Sequence, residues 1–381
     1  MIGVPKELKA QEGRVGITPD GVRALRKFGI DVAIQEGAGL GAGLADGEYV
    51  SAGAIVYSKI EDLYRDADII VKVKEPTPAE YPLLPLLQGK TLFTYLHLAG
   101  VDPELTKLLL AHKVNAIAYE NVIKEVNGRT TFPLLAPMSQ IAGTQAMRGA
   151  LLRHQVNERR QLRAVILGGG NVGEAALVEA LAHHVASIAV FELNEDRRAA
   201  LECAHRIEYT ASFFPFSALE TWGRAELNKA DIVICAVLTP GGAAAPIVLT
   251  QKHFRRMKHG CFIADVAIDQ GGSTAWSKVT KPGETFTRGK NALVFSCVPN
   301  IPGSTVPREA TEALTKATIA HVCVLGLHVM EHNQRSGLYW ALKGYPDLRA
   351  GLQTFSGFLV NSSVCAKHQL EWAYKPMESL F

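Results

Sequence analysis

Ala164-Val-Ile-Leu-Gly168-Gly-Gly170-Asn-Val-Gly173-Glu-Ala-Ala176 is the stretch on which the fold turns. A β-branched apolar strand runs into a glycine turn of the form G-x-G-x-x-G, and an alanine-rich helix opens directly behind it. Each glycine has a separate reason to be there: Gly168 permits the tight turn, Gly170 lets backbone approach a pyrophosphate, and Gly173 lets helix and strand pack closely. The helix N-terminus then offers unpaired N–H groups and the positive end of its dipole to the phosphates. Glu192 ends the next strand about 20 residues on, where a dinucleotide fingerprint places the carboxylate that binds the adenosine ribose. That charge repels a 2′-phosphate and favours NAD over NADP, although Arg197 and Arg198 nearby leave a 2′-phosphate partner within reach.

Outward from this turn, apolar runs at Ser187 to Phe191, Ala230 to Val237, Cys261 to Val266 and Leu293 to Val298 alternate with helical patterns, and Pro299-Asn-Ile-Pro-Gly303 ends the series. A similar rhythm precedes it. Strand-like Ile2 to Val4 and Val32 to Gln35 flank a helical Pro19 to Phe28, Ala67 to Lys74 stops at Glu75-Pro76-Thr77-Pro78, and Thr91 to His97 stops at Leu98-Ala-Gly100. Apolar strands separated by helices predict parallel sheets buried on both faces. Ser139 to Arg163 reads as a bridging helix with Ile141, Met147, Ala150 and Leu151 on its apolar face, and Ala313 to Met330 as a long helix returning the chain to the first domain.

The 381 residues suffice for two domains of about 100 to 200 residues each. Forty basic and 37 acidic residues, net +3, are spread without a basic stripe, which gives nucleic-acid binding no support. The sequence shows no charge-free apolar run of about 18 residues, so no membrane span is expected, and Lys6, Glu7 and Lys9 interrupt any export signal, so a cytoplasmic protein is expected. Cys203, Cys235, Cys261, Cys297, Cys323 and Cys365 are too scattered for a disulfide framework and read as buried thiols. The histidines, His183-His184 included, show no ligand spacing with a third donor, so no metal is expected.

With these motifs in view, the chain resembles the alanine dehydrogenase family, which shares its fold with the alpha subunit of proton-translocating transhydrogenase. The likeness rests on Gly3-Val-Pro-Lys-Glu7, Arg14-Val-Gly-Ile-Thr-Pro19, Gly37-Ala-Gly-Leu-Gly41, Val71-Lys-Val-Lys-Glu-Pro76, Phe93-Thr-Tyr-Leu-His-Leu-Ala99, Leu134-Leu-Ala-Pro-Met-Ser139, the glycine turn, Asp265-Val-Ala-Ile-Asp-Gln-Gly-Gly272 and Asn300-Ile-Pro-Gly303, in the family's order. It implies an α/β protein of two Rossmann-like domains, each a mostly parallel sheet flanked by helices, with a cleft between them. A discontinuous substrate domain would span 1–140 and 304–381, an NAD-binding domain 141–303, and the assembly would be a homohexamer.

The implied reaction is reversible NAD-dependent oxidative deamination of L-alanine to pyruvate and ammonium. Residue by residue, Arg14 and Lys74 match the family's substrate-binding pair, His97 and Asp269 its catalytic pair. A guanidinium fork suits the pyruvate carboxylate, a lysine at a strand end can anchor the oxo oxygen, and an imidazole titrating near neutrality can take a proton and activate water. Besides Gly168, Gly170, Gly173, Glu192 and Arg197, the cofactor contacts implied are Ser139, Val172, Val237, Leu238, Val266, Ala267, Ile268, Asp269, Val298, Asn300 and Ile301. Asp265 competes with Asp269 as the functional carboxylate, or only caps a turn.

The chain departs from the family where a glycine-rich segment normally precedes the nucleotide-binding strand: Leu151 to Leu162 leads straight into it. Gln140 and Thr144 stand where the family has Glu and Arg, Gly242 to Ala245 lacks a lysine, Pro302 to Pro307 holds an extra residue, and Glu192 replaces an Asp. Two other readings therefore stay open: a related 2-oxo acid or amino acid dehydrogenase of opine or saccharopine type, and a non-catalytic NAD-binding or transhydrogenase-like module.

Overall fold

A computed structural model describes residues 1–126, 128–154, 161–205, 210–221, 223–238, 244–332 and 334–380. The strands are β1 (Ile2–Val4), β2 (Val32–Gln35), β3 (Ile55–Tyr57), β4 (Ile69–Val71), β5 (Thr91–Thr94), β6 (Asn115–Ala118), β7 (Lys124–Val126), β8 (Arg129–Thr131), β9 (Arg163–Leu167), β10 (Ser187–Glu192), β11 (Ala211–Pro215), β12 (Ile232–Cys235), β13 (Phe262–Asp265), β14 (Phe286–Arg288), β15 (Leu293–Ser296), β16 (Leu352–Phe355) and β17 (Phe358–Leu359). The chain divides into two compact units, Met1–Met138 with Val306–Phe381, and Ser139–Thr305.

In the first unit the strands run β17-β16-β6-β5-β4-β1-β2-β3, parallel except for the edge pair β16 and β17. In the second the order is β11-β10-β9-β12-β13-β15-β14, parallel except for β14. Counted along the chain, the parallel strands of each sheet follow the 3-2-1-4-5-6 order of a doubly wound fold. The order reverses between β1 and β4 in one sheet and between β9 and β12 in the other, and it is outside the carboxyl ends of strands at such points that ligands bind.

Burial explains why the strands read as unbroken apolar runs. In the second unit Ala164, Ile166, Ile232, Ile234, Phe262 and Ala264 belong to one core cluster, and their alternating neighbours Val165, Leu167, Val233, Cys235 and Ile263 to another. Side chains of a strand point alternately to opposite faces, so a sheet covered on both sides must be apolar at every position.

Several predicted elements are shorter than their apolar runs. Ala67 to Lys74 forms a strand only over Ile69–Val71, and Thr91 to His97 only over Thr91–Thr94, because the residues beyond turn away from the ladder. The bridging helix spans Ala136–Leu151 with Ile141, Met147, Ala150 and Leu151 buried as expected; residues 155–160 of the predicted stretch lie outside the described residues. The long helix runs Pro307–Glu331 and buries Ala310, Thr311, Leu314, Thr315, Thr318, Val322, Leu325 and Gly326, the three-and-four spacing of a stripe packed on a core. By length and apolarity alone this helix meets the requirement for a membrane span, which the sequence reading had not anticipated. The cysteine expectation also needs correction: Cys235, Cys261, Cys297 and Cys365 are buried, Cys323 is half-buried, and Cys203 is exposed on the polar side of the helix Glu195–His205.

Candidate active site

In the first unit β4 and β5 lie side by side in register, Val71 opposite Phe93. Their continuations leave the same end of the sheet at its order reversal, and Thr94 Oγ1 donates to the Lys74 carbonyl at 3.0 Å while the Tyr95 amide donates to Val73 at 3.3 Å. Lys74 therefore stands just past one strand end and His97 just past the next.

His97 lies outside the apolar core, just past the strand end. Its backbone sits in the left-handed region at φ 45°, ψ 36°, and its side chain is 41% exposed. The Glu120 carboxylate holds this turn by accepting the amides of Leu96 at 3.2 Å and His97 at 2.5 Å, and Oε1 lies 3.6 Å from His97 Nδ1. The imidazole stacks on the Tyr95 ring, centroids 5.8 Å apart and planes within 8°. Tyr95 is buried and its hydroxyl donates to the Leu134 carbonyl.

Arg14 is almost wholly enclosed, at 3% exposure. Its Nε donates to Glu12 Oε1 at 2.7 Å, Nη2 donates to Glu12 Oε2, and Nη1 reaches Met138 Sδ at 3.1 Å. Burial opposes the charge of Arg14, but the Glu12 carboxylate more than offsets it and holds the guanidinium charged. The Nε/Nη2 edge of the guanidinium fork is thus taken by Glu12, because a guanidinium this deep needs a permanent counter-charge.

Burial pushes Lys74 below the ordinary lysine range, and the positive charges of Arg14 and Lys9 push it further the same way. Burial pushes the Tyr95 phenol well up and keeps it neutral, with the nearby Arg14 charge working against that shift and the Glu120 carboxylate adding to it. Through these couplings Arg14, Lys74, Tyr95 and His97 form one neighbourhood within the first unit.

In the second unit the glycine turn follows β9. Gly168 has φ 96°, and a Cβ there would meet the Ala236 carbonyl oxygen at 2.6 Å. A Cβ on Gly173 would lie 1.8 Å from the Gly168 carbonyl oxygen, whereas one on Gly170 would meet nothing within 4 Å. The first two glycines are demanded by the protein's own backbone; at Gly170 the space is open, which suits the approach of a phosphate. Gly170 precedes the helix Asn171–Ala182, whose first amides have no partner within the helix.

Glu192, at the end of β10, accepts the Gly169 amide at 2.5 Å and the Asn194 amide at 2.7 Å. A carboxylate has about four acceptor positions, so it retains capacity for ribose hydroxyls. Arg197 donates to the Gly169 carbonyl at 2.8 Å and to Glu174 at 2.6 Å, and Arg198 pairs with Glu195 and Glu202, so both arginines have local partners.

After β13, Asp265 is buried, and its oxygens accept from the Ala267 amide, the Ser273 amide and hydroxyl, and the Ser277 hydroxyl. That is the turn-capping alternative. Asp269 is exposed in the turn Val266–Gln270 and accepts the Asn300 amide at 3.1 Å, Asn300 itself standing at φ 50°. Of the other predicted cofactor contacts, Val172, Ala267, Ile268, Val298 and Ile301 are buried; Ser139, Val237 and Val266 are half-buried, and Leu238 is exposed. Residues 239–243, which hold part of the Gly242 to Ala245 departure, lie outside the described residues.

Sequence reasoning missed Glu12, Tyr95, Glu120 and Met138. Tyr95 and Met138 stood inside motifs already singled out, and Glu12 is two residues from Arg14, but Glu120 lies 23 residues from His97 and only folding brings it there. The sequence reading also overlooked a ligand-like trio: His328, Glu331 and His332 place their donor atoms within 4.8 Å of one another near the end of the long helix. Glu331 and His332 are exposed there.

A sheet with room for a pyrophosphate at its first turn has one requirement; a chain that also encloses a charged arginine and a lysine whose pKa burial lowers, and turns an imidazole outward, has another. Together they define a dinucleotide-dependent oxidoreductase. The chain belongs to the alanine dehydrogenase/PNT family: the model of the family's N-terminal domain matches residues 3–142 and that of its C-terminal domain residues 138–361. It is 37% identical to an alanine dehydrogenase of Bacillus subtilis over 99% of this chain and 97% of that one, and 37% identical to one of Halomonas elongata over 97% of each. Among solved structures, an L-alanine dehydrogenase superposes with a TM-score of 0.81 at 36% identity, covering 97% of this chain and 99% of that one.

Proposed function

We propose that this protein catalyses the reversible oxidative deamination of L-alanine, with NAD as cofactor, to pyruvate, ammonium and NADH. One observation carries the substrate side: a single neighbourhood of the first unit holds a buried guanidinium, a lysine with a depressed pKa and an outward-facing histidine.

Bound NAD supplies a hydride acceptor for the Cα–H of alanine. Gly168, Gly170, Gly173 and the start of the helix Asn171–Ala182 would cradle its pyrophosphate, and Glu192 would take the ribose hydroxyls. Arg14 meets the substrate carboxylate through its Nη1/Nη2 edge, Glu12 orienting the fork from the other side. Lys74 directs its ammonium at the substrate oxo group. His97 accepts a proton from the substrate ammonium and passes it to solvent; once the hydride has left, it takes a proton from the water that adds to the iminium carbon and returns it to the nitrogen that departs. Glu120 fixes the His97 backbone and faces Nδ1, and Asp269 orients substrate or water.

Water contributes the oxo oxygen, nitrogen leaves as ammonium, and two electrons with one proton leave as hydride. The same reading carries the homohexamer that the family resemblance implied, which light scattering on the purified protein checks.

The test is initial rates of NADH consumption with ammonium and a panel of 2-oxo acids. Pyruvate is expected to give the highest kcat/KM; a longer or branched 2-oxo acid at the head of the panel, or no turnover with any, overturns the assignment.

A further inference from the structure

Two of the stretches that carried the family likeness have no task in the reaction as described: Gly3 to Glu7, and the first half of Val71 to Pro76. They meet inside the first unit. The Lys72 side chain is completely buried, and its Nζ stands 2.8 Å from Glu80 Oε1 and 3.4 Å from Glu7 Oε2. Burial works to discharge Lys72, but the facing Glu7 and Glu80 carboxylates more than reverse this. Glu80 is itself held, since its other oxygen accepts the Thr77 amide at 2.8 Å and the Thr77 hydroxyl at 3.0 Å in a capping box at the turn Pro78–Leu87.

A cation sunk among two carboxylates is a costly way to fill a core, and apolar residues of the same volume often serve stability as well or better. What the arrangement holds is visible at Glu7. Its Oε1 accepts the Val73 amide at 2.7 Å and its Oε2 the Lys74 amide at 3.3 Å. The Lys72 amide still bonds to Phe93 across the sheet, but those of Val73 and Lys74 point to Glu7 instead. Meanwhile the carbonyls of Val73 and Lys74 are held from the β5 side by the Tyr95 amide and the Thr94 hydroxyl. The peptide from which the Lys74 side chain departs is thereby tied on both edges. Glu120 treats the next strand in the same manner, accepting the two successive amides that end at His97.

We infer that Glu7, clamped by Lys72 and Glu80, is a positioning residue for Lys74: it fixes the peptide that aims the lysine ammonium at the substrate oxo group. This rests on the substrate role proposed for Lys74. Glu7 itself touches no substrate.

The experiment compares Glu7→Gln, Glu7→Asp, Glu80→Gln and Lys74→Met in the full-length protein, with melting temperature, NADH affinity, kcat and the pH dependence of the pyruvate KM measured for each. Glu7→Gln keeps the volume but sets an amide N–H against a backbone N–H or the Lys72 ammonium. The pyruvate KM is expected to rise on the order of 10-fold, its pH dependence to shift, and NADH affinity to stay unchanged; Glu7→Asp recovers part of the KM. Should Glu7→Gln not fold, Glu80→Gln, which leaves both Glu7 bonds to the peptide in place, is expected to raise KM in the same direction by a smaller factor. A folded Glu7→Gln, or in its stead Glu80→Gln, that loses stability or kcat while the pyruvate KM and its pH profile match the unmodified protein overturns the inference. Lys74→Met separates the two readings: an unchanged pyruvate KM there sinks the role of Lys74 itself, whereas a raised KM there with a normal one in the Glu7 and Glu80 variants sinks only the positioning role.

Discussion

Lys74 shows how far a side chain's chemistry is set by what encloses it. An ordinary lysine titrates near 10.4; here burial and the neighbouring charges of Arg14 and Lys9 favour the neutral form, so the charge is lost at lower pH. The sign for function follows. If the ammonium holds the oxo group, the pyruvate KM rises on the alkaline side, beginning below the usual lysine value, and the Lys74→Met variant shows a raised KM with that limb missing. Pyruvate KM measured between about pH 7 and about pH 10 checks this; a flat profile in the unmodified protein counts against a charged Lys74 at the substrate. Arg14 presents the opposite outcome of burial, because Glu12 supplies the counter-charge that Lys74 lacks at such close range. The same depth gives one permanent cation and one adjustable one.

At the scale of elements, the site is built where strands stop. Val71, Thr94, Leu167 and Asp265 each end a strand, and Lys74, His97, Gly168 and Asp269 follow within a few residues. A strand fixes where its last residue lies, and a carboxylate or a glycine then decides how the chain turns off it: Glu7 and Glu120 in one unit, Gly168 and Asp265 in the other. The closest of these fits is at Gly173, where strand turn and helix pack with the Gly168 carbonyl against the bare α-carbon. Gly173→Ala must move the helix Asn171–Ala182 away from the turn, at the typical overpacking penalty of about 1–3 kcal/mol. The expected outcome is a lower urea midpoint and an NADH dissociation constant raised at least about 10-fold, read by fluorescence titration. Gly170→Ala, whose Cβ meets open space, is expected to leave the urea midpoint nearly unchanged while still weakening NADH. Equal loss of stability in both variants would refute the distinction between a glycine needed by the fold and one needed by the ligand.

At the scale of the whole molecule, the two units differ in how they are assembled from the chain. The second unit is continuous, with every strand of its sheet between Arg163 and Ser296. The first takes β16, β17 and the helix Pro307–Glu331 from the far end: β16 completes the sheet beside β6, and the hydroxyls of Thr311 and Thr315 accept the amides of Val15 and Thr18. Residues 139–305 expressed alone are therefore expected to fold and to bind NADH within about 10-fold of the full-length dissociation constant, whereas residues 1–138 alone are expected to lack cooperative unfolding. Circular dichroism melts and NADH titration of the two fragments check this, and a cooperative melt from 1–138 would contradict it.

What the sequence determined by itself is local in origin. The glycine turn, the β-branched strands and the rhythm of helices between them depend on neighbours along the chain, which is why parallel sheets buried on both faces and a dinucleotide turn could be read from Ala164 to Ala176 and its surroundings, while the pair of Rossmann-like domains came from the family likeness. Arg14, Lys74 and His97 were legible through motif likeness, though not through any property of those residues in isolation. Only the tertiary structure decided what each of them faces. For two of them the carboxylate comes from far along the chain: Glu7 reaches the Lys74 amide from 67 residues away and Glu120 reaches His97 from 23, whereas Glu12 lies 2 residues from Arg14. No periodicity encodes such partners, because a buried charge finds its counter-ion through the order in which strands are laid side by side. The left-handed turn of His97 and the adjustable charge of Lys74 depend on that order.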